Sequence, residues 1–216
     1  MIIKNLSLVT APVNDILTVA EAKTHLRVDS SSDDTYISNL IKLCTKSAEN
    51  YTSRAFITQT YKIFFDNYYD NSLDHTWWNG IVQGRVGNFI EKKYIELPFA
   101  PLQSVTHFKT YDENDSATTF SSGNYSVSAY AGDFANRGRI SLKNGNSWPT
   151  YTKPIDGIEI QFVCGYGDNA SDVPFQIKQG VLEEIAFRYE NRGDRLDQTK
   201  INSDISQGLL SQFKIF

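Results

Sequence analysis

Several residue types and motifs are scarce in this sequence of 216 residues. It contains only two cysteines and three histidines, which are His25, His75 and His107. None of the histidines has the spacing of a zinc motif, so the sequence gives no support to a metal site. No apolar run approaches the roughly 18 residues of a membrane span, and the amino terminus is too short and mixed for a secretory signal. We therefore expect neither a metal cofactor nor a membrane partner.

Catalytic motifs are also missing. The sequence has no phosphate-binding lysine loop, no dinucleotide-binding glycine pattern and no nucleophile elbow. Glu183 and Glu184 are adjacent in a predicted helix, so they point about 100° apart and do not form a catalytic pair. Asp66, Asp70 and Asp74 recur every four residues, which does not fit a calcium loop. We expect a protein that is not an enzyme and has no cofactor.

The two cysteines lie in apolar surroundings. Cys44 falls on the apolar face of a predicted helix, and Cys164 ends an apolar run. Two buried free thiols in a reducing cytosol are the favoured interpretation, and a disulfide is the alternative.

The charge balance is mild. The net charge is −4, and no basic patch marks a nucleic-acid-binding surface. A hydrophobic content of 40% and an aromatic content of 13% are sufficient for real cores. The chain is long enough for one large domain or two small ones.

Residues 17–51 carry the strongest helical signal. Thr18 and Glu21 have the spacing of a capping box, which predicts a short helix over about residues 19–26. Asp33 or Asp34 is predicted to cap a longer helix, whose polar face includes Glu49. The apolar residues of this helix recur at steps of three and four and share one face: Ile37, Leu40, Ile41, Cys44, Ala48 and Tyr51.

A matching helix is predicted near the other end, over residues 174–191. Ile177, Val181, Ile185 and Tyr189 recur every four residues on one face. Both helices carry their apolar residues on one side only, so each apolar face must pack against another element. We therefore expect the two ends of the chain to form a small helical core together.

Between these helices the hydrophobic period changes to that of strands. Short β-branched and aromatic runs separated by turn signals predict an antiparallel barrel or sandwich. The fold class is therefore α+β: a small helical bundle with an inserted antiparallel β subdomain and an extended C-terminal tail. The expected division is an N-terminal arm (1–16), a first helical-core segment (17–56), the β-rich insertion (57–170), a second helical-core segment (171–193) and the C-terminal tail (194–216).

Two segments are candidates for contact with a partner. The tail has a polar spacer and an apolar tip, which suits either docking on another protein or a last helix folded back on the core. The long excursion over residues 66–88 is either a binding loop or a lid over the sheet. The candidate residues are Leu209, Leu210, Phe213, Ile215 and Phe216 in the tail, and Tyr68, Tyr69, Trp77 and Trp78 in the loop.

Three stretches together resemble a known family. The first, residues 17–61, begins LTVAEAKTHLRV and continues through an acidic helix start to a glutamine–threonine strand. The others are residues 95–120 and 157–194. In order and spacing they are similar to the head–tail connector (adaptor) proteins of tailed bacteriophages, the gp6/gp8-like connectors.

The resemblance implies a structural protein of the virion, made in the host cytoplasm. Such connectors are homo-oligomeric rings, commonly of twelve copies, beneath the portal protein. The tail, or a tail-completion protein such as a stopper or tail terminator, attaches on the far side. DNA passes through the ring without sequence-specific binding, and the tail tip would meet the portal. The alternative function is a carbohydrate- or host-binding virion module that uses the aromatic loop.

Overall fold

The computed structural model of the protein describes residues 3–66, 94–150, 152–192 and 203–215. Within these ranges the chain forms four α-helices and eight β-strands. The helices are α1 (Val19–Leu26), α2 (Asp34–Thr52), α3 (Phe175–Glu190) and α4 (Asp204–Ser211). The strands are β1 (Ile3–Thr10), β2 (Gln59–Phe65), β3 (Tyr94–Glu96), β4 (Leu102–Tyr111), β5 (Ala117–Thr119), β6 (Tyr125–Ser128), β7 (Arg139–Leu142) and β8 (Ile158–Cys164).

The capping box before α1 is formed as predicted. The Thr18 hydroxyl accepts from the Glu21 N–H at 3.2 Å, and the Glu21 carboxylate accepts from the Thr18 N–H at 2.7 Å. These hydrogen bonds satisfy two groups that a helix start otherwise leaves unpaired. They also lower the pKa of Glu21, chiefly through the Thr18 backbone bond.

The start of α2 differs in detail from the prediction. Asp33 occupies the N-cap position, but its side chain makes no capping hydrogen bond. Its carboxylate instead accepts from the Tyr189 hydroxyl at 2.6 Å and from Arg192 at 2.9 Å. Hydrogen bonds from Arg192 and Tyr189 lower the pKa of Asp33. This residue therefore ties α2 to the end of α3.

The helical core joins the two ends of the chain, as predicted. The apolar faces of α2 and α3 pack together, and α1, α4 and residues 56–57 complete the cluster. No helix in the described part of the chain is both long enough and apolar enough to cross a membrane. The buried members of this helical core are Ile16, Leu17, Ala22, Ile37, Leu40, Ile41, Cys44, Ala48, Phe56, Ile57, Val173, Ile177, Val181, Ile185, Leu210 and Phe213.

The β-rich region contains two antiparallel sheets. One has five strands in the order β1-β2-β8-β4-β5, and the other has three in the order β3-β7-β6. β8 is followed by Gly165, whose φ of +134° suits glycine. A Cβ at this glycine would lie 2.7 Å from the backbone of Ile57, so a side chain there is excluded.

A second hydrophobic cluster lies between the sheets, and we call it the β core. It takes alternate residues from β2 and β8, as expected from the two-residue period of a strand. Phe108 is fully buried at its centre, 5.2 Å from the ring of Phe120 and 6.1 Å from that of Trp148. The buried members are Ala55, Tyr61, Ile63, Phe65, Ile95, Leu97, Leu102, Phe108, Tyr125, Ile140, Ile158, Ile160, Phe162 and Cys164.

A buried carboxylate lies on the opposite face of the five-stranded sheet. Glu159 is 5% exposed, and three side chains surround it. Lys62 Nζ and His107 Nε2 lie 3.0 and 2.6 Å from its Oε1, and the Tyr111 hydroxyl donates to Oε2 at 3.0 Å. Burial by itself would raise the pKa of Glu159, but these hydrogen bonds outweigh it and hold the pKa below its ordinary value.

Glu159→Gln is expected to lower the free energy of unfolding at neutral pH by about 1–3 kcal/mol, because hydrogen bonds to a charged group are lost. A lowered folded-state pKa stabilises the fold above the unfolded-state pKa, about 4.3 for Glu, and that contribution is lost as the pH falls below it. Denaturant unfolding from pH 7 to pH 3 should therefore show the difference between wild type and variant shrinking on the acidic side.

Glu113→Gln is the matched control, since Glu113 is exposed. It should match wild type throughout. A difference for Glu159→Gln that stays constant from pH 7 to pH 3 would contradict the assignment.

Candidate partner-binding surface

The C-terminal segment 203–215 folds back onto the helical core. Ser203 begins α4 as a true N-cap, because its hydroxyl accepts from the Ser206 N–H at 3.3 Å. The Ser203 N–H donates in turn to Glu184 on α3 at 2.9 Å. For the described residues of the tail, the structure therefore adopts the second of the two predicted arrangements, a last helix on the core rather than an extended tail.

The predicted tip residues divide into two groups. Leu210 and Phe213 are 5% and 1% exposed and belong to the helical core. They anchor the segment and are not available to a partner in this conformation. Leu209 and Ile215 are only half-buried. Phe216 lies outside the described residues.

The aromatic loop was the second candidate for contact with a partner. Tyr68, Tyr69, Trp77 and Trp78 all fall outside the described residues. Nothing in the described structure bears on their proposed role in binding a carbohydrate or a host surface.

A close approach fixes the position of α4 on α3. A Cβ at Gly180 would lie only 3.1 Å from Leu210 Cγ and 3.5 Å from Leu209 Cβ. The absence of a side chain at Gly180 therefore lets α4 come close to α3. An open pocket of about 100 Å³ lies beside it between α2, α3 and α4, lined in part by Cys44, Tyr51 and Val181.

Arg54 is the principal anchor of the segment, and it was not among the residues predicted from the sequence. It lies between α2 and β2 and is 3% exposed. Its Nε donates to the Phe213 carbonyl at 2.6 Å, and its Nη1 donates to the Ala135 carbonyl at 2.7 Å. Burial lowers its pKa from the ordinary value. A single side chain thus ties the C-terminal segment to the loop before β7.

Two further contacts complete this anchorage. The Ile215 N–H donates to the Thr52 carbonyl at 3.1 Å, next to the end of α2. The ring of Phe213 stacks on that of Phe134 at a centroid distance of 5.1 Å. No local pattern marks Arg54 in the sequence, since polar Thr52 and Ser53 precede it and apolar Ala55 and Phe56 follow it.

Glu49 is a correction to the predicted polar face of α2. It is 5% exposed rather than solvated. Its Oε1 accepts from the Phe56 N–H at 3.0 Å and from Gln59 Nε2 at 2.6 Å, while Lys46 lies 3.0 Å from its Oε2. The chain turns back over the end of the helix here, so a residue on the nominally polar face becomes covered.

No set of three or more histidine, cysteine or carboxylate side chains able to hold a metal ion occurs within the described ranges. Cys44 and Cys164 are both free and buried, which agrees with the favoured interpretation. Burial raises the pKa of Cys44 to about 12 and that of Cys164 well above its ordinary value. Neither is a reactive thiolate at neutral pH.

Comparison with known families decides the assignment. A profile described as phage gp6-like head–tail connector protein matches residues 16–134, more than half of the chain. The chain belongs to this head–tail connector family. This connector is accordingly a structural component of the virion. No protein with a curated description matches its sequence.

Solved structures share the fold over nearly the full length of the connector. A chain in the neck of an empty gene transfer agent (GTA) particle, computed with C6 symmetry, aligns with a TM-score of 0.73 at 21% identity. A chain in the virion of a native GTA particle aligns with a TM-score of 0.72 at 22% identity. Each alignment covers 99% of the connector and 96% of the other chain. A chain in the neck of a native GTA particle, computed with C12 symmetry, aligns with a TM-score of 0.69 at 21% identity and with the same coverage.

Arg54→Met is expected to loosen the C-terminal segment, because it leaves the carbonyls of Phe213 and Ala135 without their charged donor. Each such hydrogen bond contributes about 1.5–3 kcal/mol, and about 1.4 kcal/mol is a factor of ten. The exchange rate of the Ile215 amide, measured by hydrogen exchange relative to that of Ile160, should rise about tenfold or more.

Arg139→Met is the control for this test. Arg139 lies over the ring of Tyr94 at 4.9 Å, in the three-stranded sheet. Its loss should leave the Ile215 amide unaffected. Unchanged exchange in Arg54→Met would show that Arg54 does not hold the segment.

Proposed function

We propose that this connector forms a closed ring of identical copies, of twelve by the family's usual number, beneath the portal protein. The ring links capsid to tail, and the tail or a tail-completion protein meets its far side. The observation that carries the proposal is the family match, and the fold shared with chains of C6- and C12-symmetric necks supports it. Its role is structural, with no catalytic activity.

The ring also lines the passage for DNA. Each lysine or arginine that contacts a phosphate adds affinity and makes binding depend on salt. A channel through which the genome slides is better served by few such contacts. The net charge of −4 is consistent with DNA passing without sequence-specific binding.

The C-terminal segment is proposed to contact the portal. Leu210 and Phe213 hold the segment on the helical core from within. The side chains left for a partner are those that are not fully buried, namely Leu209, Ile215 and Ile205, the last 64% exposed. Phe216 remains included in this proposed contact.

We also propose that the chain divides into a helical core (17–56 and 171–193) and a β-rich insertion (57–170). Two separate hydrophobic clusters support it. The described tail adds Leu210 and Phe213 to the first cluster, so the segment 203–215 is structurally a third component of the helical core.

The native mass of the purified connector, alone and after mixing with the portal protein of the same phage, tests the ring. A species close to twelve times the mass of one 24.5 kDa chain is expected in at least one sample. Its appearance only with portal would mean that the portal templates assembly. A monomer in both samples would remove the ring from the proposal.

The double variant Leu209→Ser, Ile215→Ser tests the portal contact. Loss of two apolar side chains at an interface centre should weaken portal binding about tenfold or more, with the helical circular dichroism unchanged. Leu43→Ser is the matched control, because Leu43 is an exposed leucine (52%) on α2. Equal affinity of the double variant and wild type would refute the contact.

A further inference from the structure

Among the described residues, β1 is an edge strand with an unprotected outer side. It lies at one end of the five-stranded sheet and pairs only with β2 among the described strands. Leu6, Leu8 and Val9 are 41%, 48% and 47% exposed. Edge strands are normally protected by charges, proline or a cover. β1 has no proline and a single charged residue, Lys4.

The other side of the same sheet has a second open edge. β5 pairs only with Lys109–Tyr111 of β4, and the Phe120 N–H adds one bond to the Phe108 carbonyl. Within the described ranges, residues 102–107 of β4 have no strand on that side. Gln103, Ser104 and Thr106 are exposed there, and Val105 packs partly against the β core.

The directions of these two edges are complementary. Every strand pairing in the sheet is antiparallel, so β1 and β4 run in opposite directions. A second copy placed alongside in the same orientation would present its β1 antiparallel to this β4. The added β1 would lie in line with β5, which occupies the same side of β4 further along that strand. The lengths also suit each other, because β1 has eight residues and the open stretch of β4 spans residues 102–107.

The two faces match as well. Leu6 and Leu8 are paired with Ile63 and Tyr61, so they lie on the face of the β core. On β4 this face carries Val105, which pairs with Phe162. Strand addition would therefore bring apolar side chains together on one face.

We infer that β1 of one copy adds as a strand to residues 102–107 of β4 in the next copy, which makes the sheet edges the contact between neighbours in the ring. This inference rests on the proposed ring. The contact is heterologous, because each copy offers a different edge to each neighbour, as a closed ring requires. Backbone hydrogen bonds supply the affinity, as in other cases of strand addition.

Cross-linking in the assembled ring tests this contact. Ser7 pairs with Lys62 and Ser104 pairs with Val163, so both serines lie on the sheet face opposite the β core. In the Ser7→Cys, Ser104→Cys variant, a bis-maleimide spanning about 10 Å would tolerate a register difference of roughly two residues, since neighbouring strands lie about 4.8 Å apart and rise about 3.4 Å per residue. Cys44 and Cys164 are buried and should not react. A ladder of covalent multimers up to the full ring is expected.

Three controls make each outcome decisive. Neither single variant should give multimers. The pair Ser7→Cys, Ser126→Cys, with an exposed serine on β6, should give none either. Dimers from Ser7→Cys alone would mean that two β1 strands pair with each other, and cross-links only within one chain would mean that β1 reaches β4 of its own chain. Either result overturns the inference.

The proposed ring and the proposed strand contact can be refuted independently of each other. If native mass shows a ring, but the doubly substituted chain gives no multimers although both cysteines react with a monofunctional maleimide, the strand contact is wrong and the ring proposal stands. A monomer both alone and with the portal overturns both.

Discussion

The buried carboxylate of Glu49 connects the two halves of the fold. It lies near the end of α2, and it accepts hydrogen bonds from the Phe56 N–H and from Gln59 at the start of β2. Gln59 in turn accepts from the Tyr61 hydroxyl at 2.8 Å, inside the β core. Removing one partner from a buried charge is costly, about 3–5 kcal/mol in measured cases. The path of the chain from helix to sheet therefore depends on this group.

The same short connection also organises the C-terminal segment. Arg54 sits between Glu49 and Gln59 in the chain, and it binds the carbonyl of Phe213 from the other end of the sequence. Helical core, β core and C-terminal segment thus meet at one place. In the proposed position between portal and tail, such a junction would hold the two contact surfaces in fixed relation.

The sheet edges suit an assembly better than an isolated chain. An exposed apolar edge strand is an aggregation risk for a monomer. In a ring every β1 can be covered by a neighbour, so the same feature becomes a specific contact. The polar face of the sheet, where Glu159 is enclosed by Lys62 and His107, keeps its hydrogen bonds within one chain and is free of this constraint.

The sequence alone determined α1, α2 and α3 and the change to strands between them. The capping box at Thr18, the apolar stripe of α2 and the alternation in β2 and β8 are local patterns over a few residues, which are set by local geometry. The joining of both ends in one helical core was inferred from two one-sided helices that each need a partner. The connector family was also recognisable from the order and spacing of three stretches.

Only the tertiary structure decided which residues are covered by segments that are distant in the sequence. Glu49 was predicted on the polar face of α2, but the returning chain buries it. Arg54 gains its role from Phe213, 159 residues away, and Leu210 and Phe213 are buried because α4 folds onto α3 beside Gly180. Asp33 likewise accepts hydrogen bonds from Tyr189 and Arg192 and makes no capping hydrogen bond to its own helix. Such contacts depend on where distant segments meet, and no local pattern encodes that.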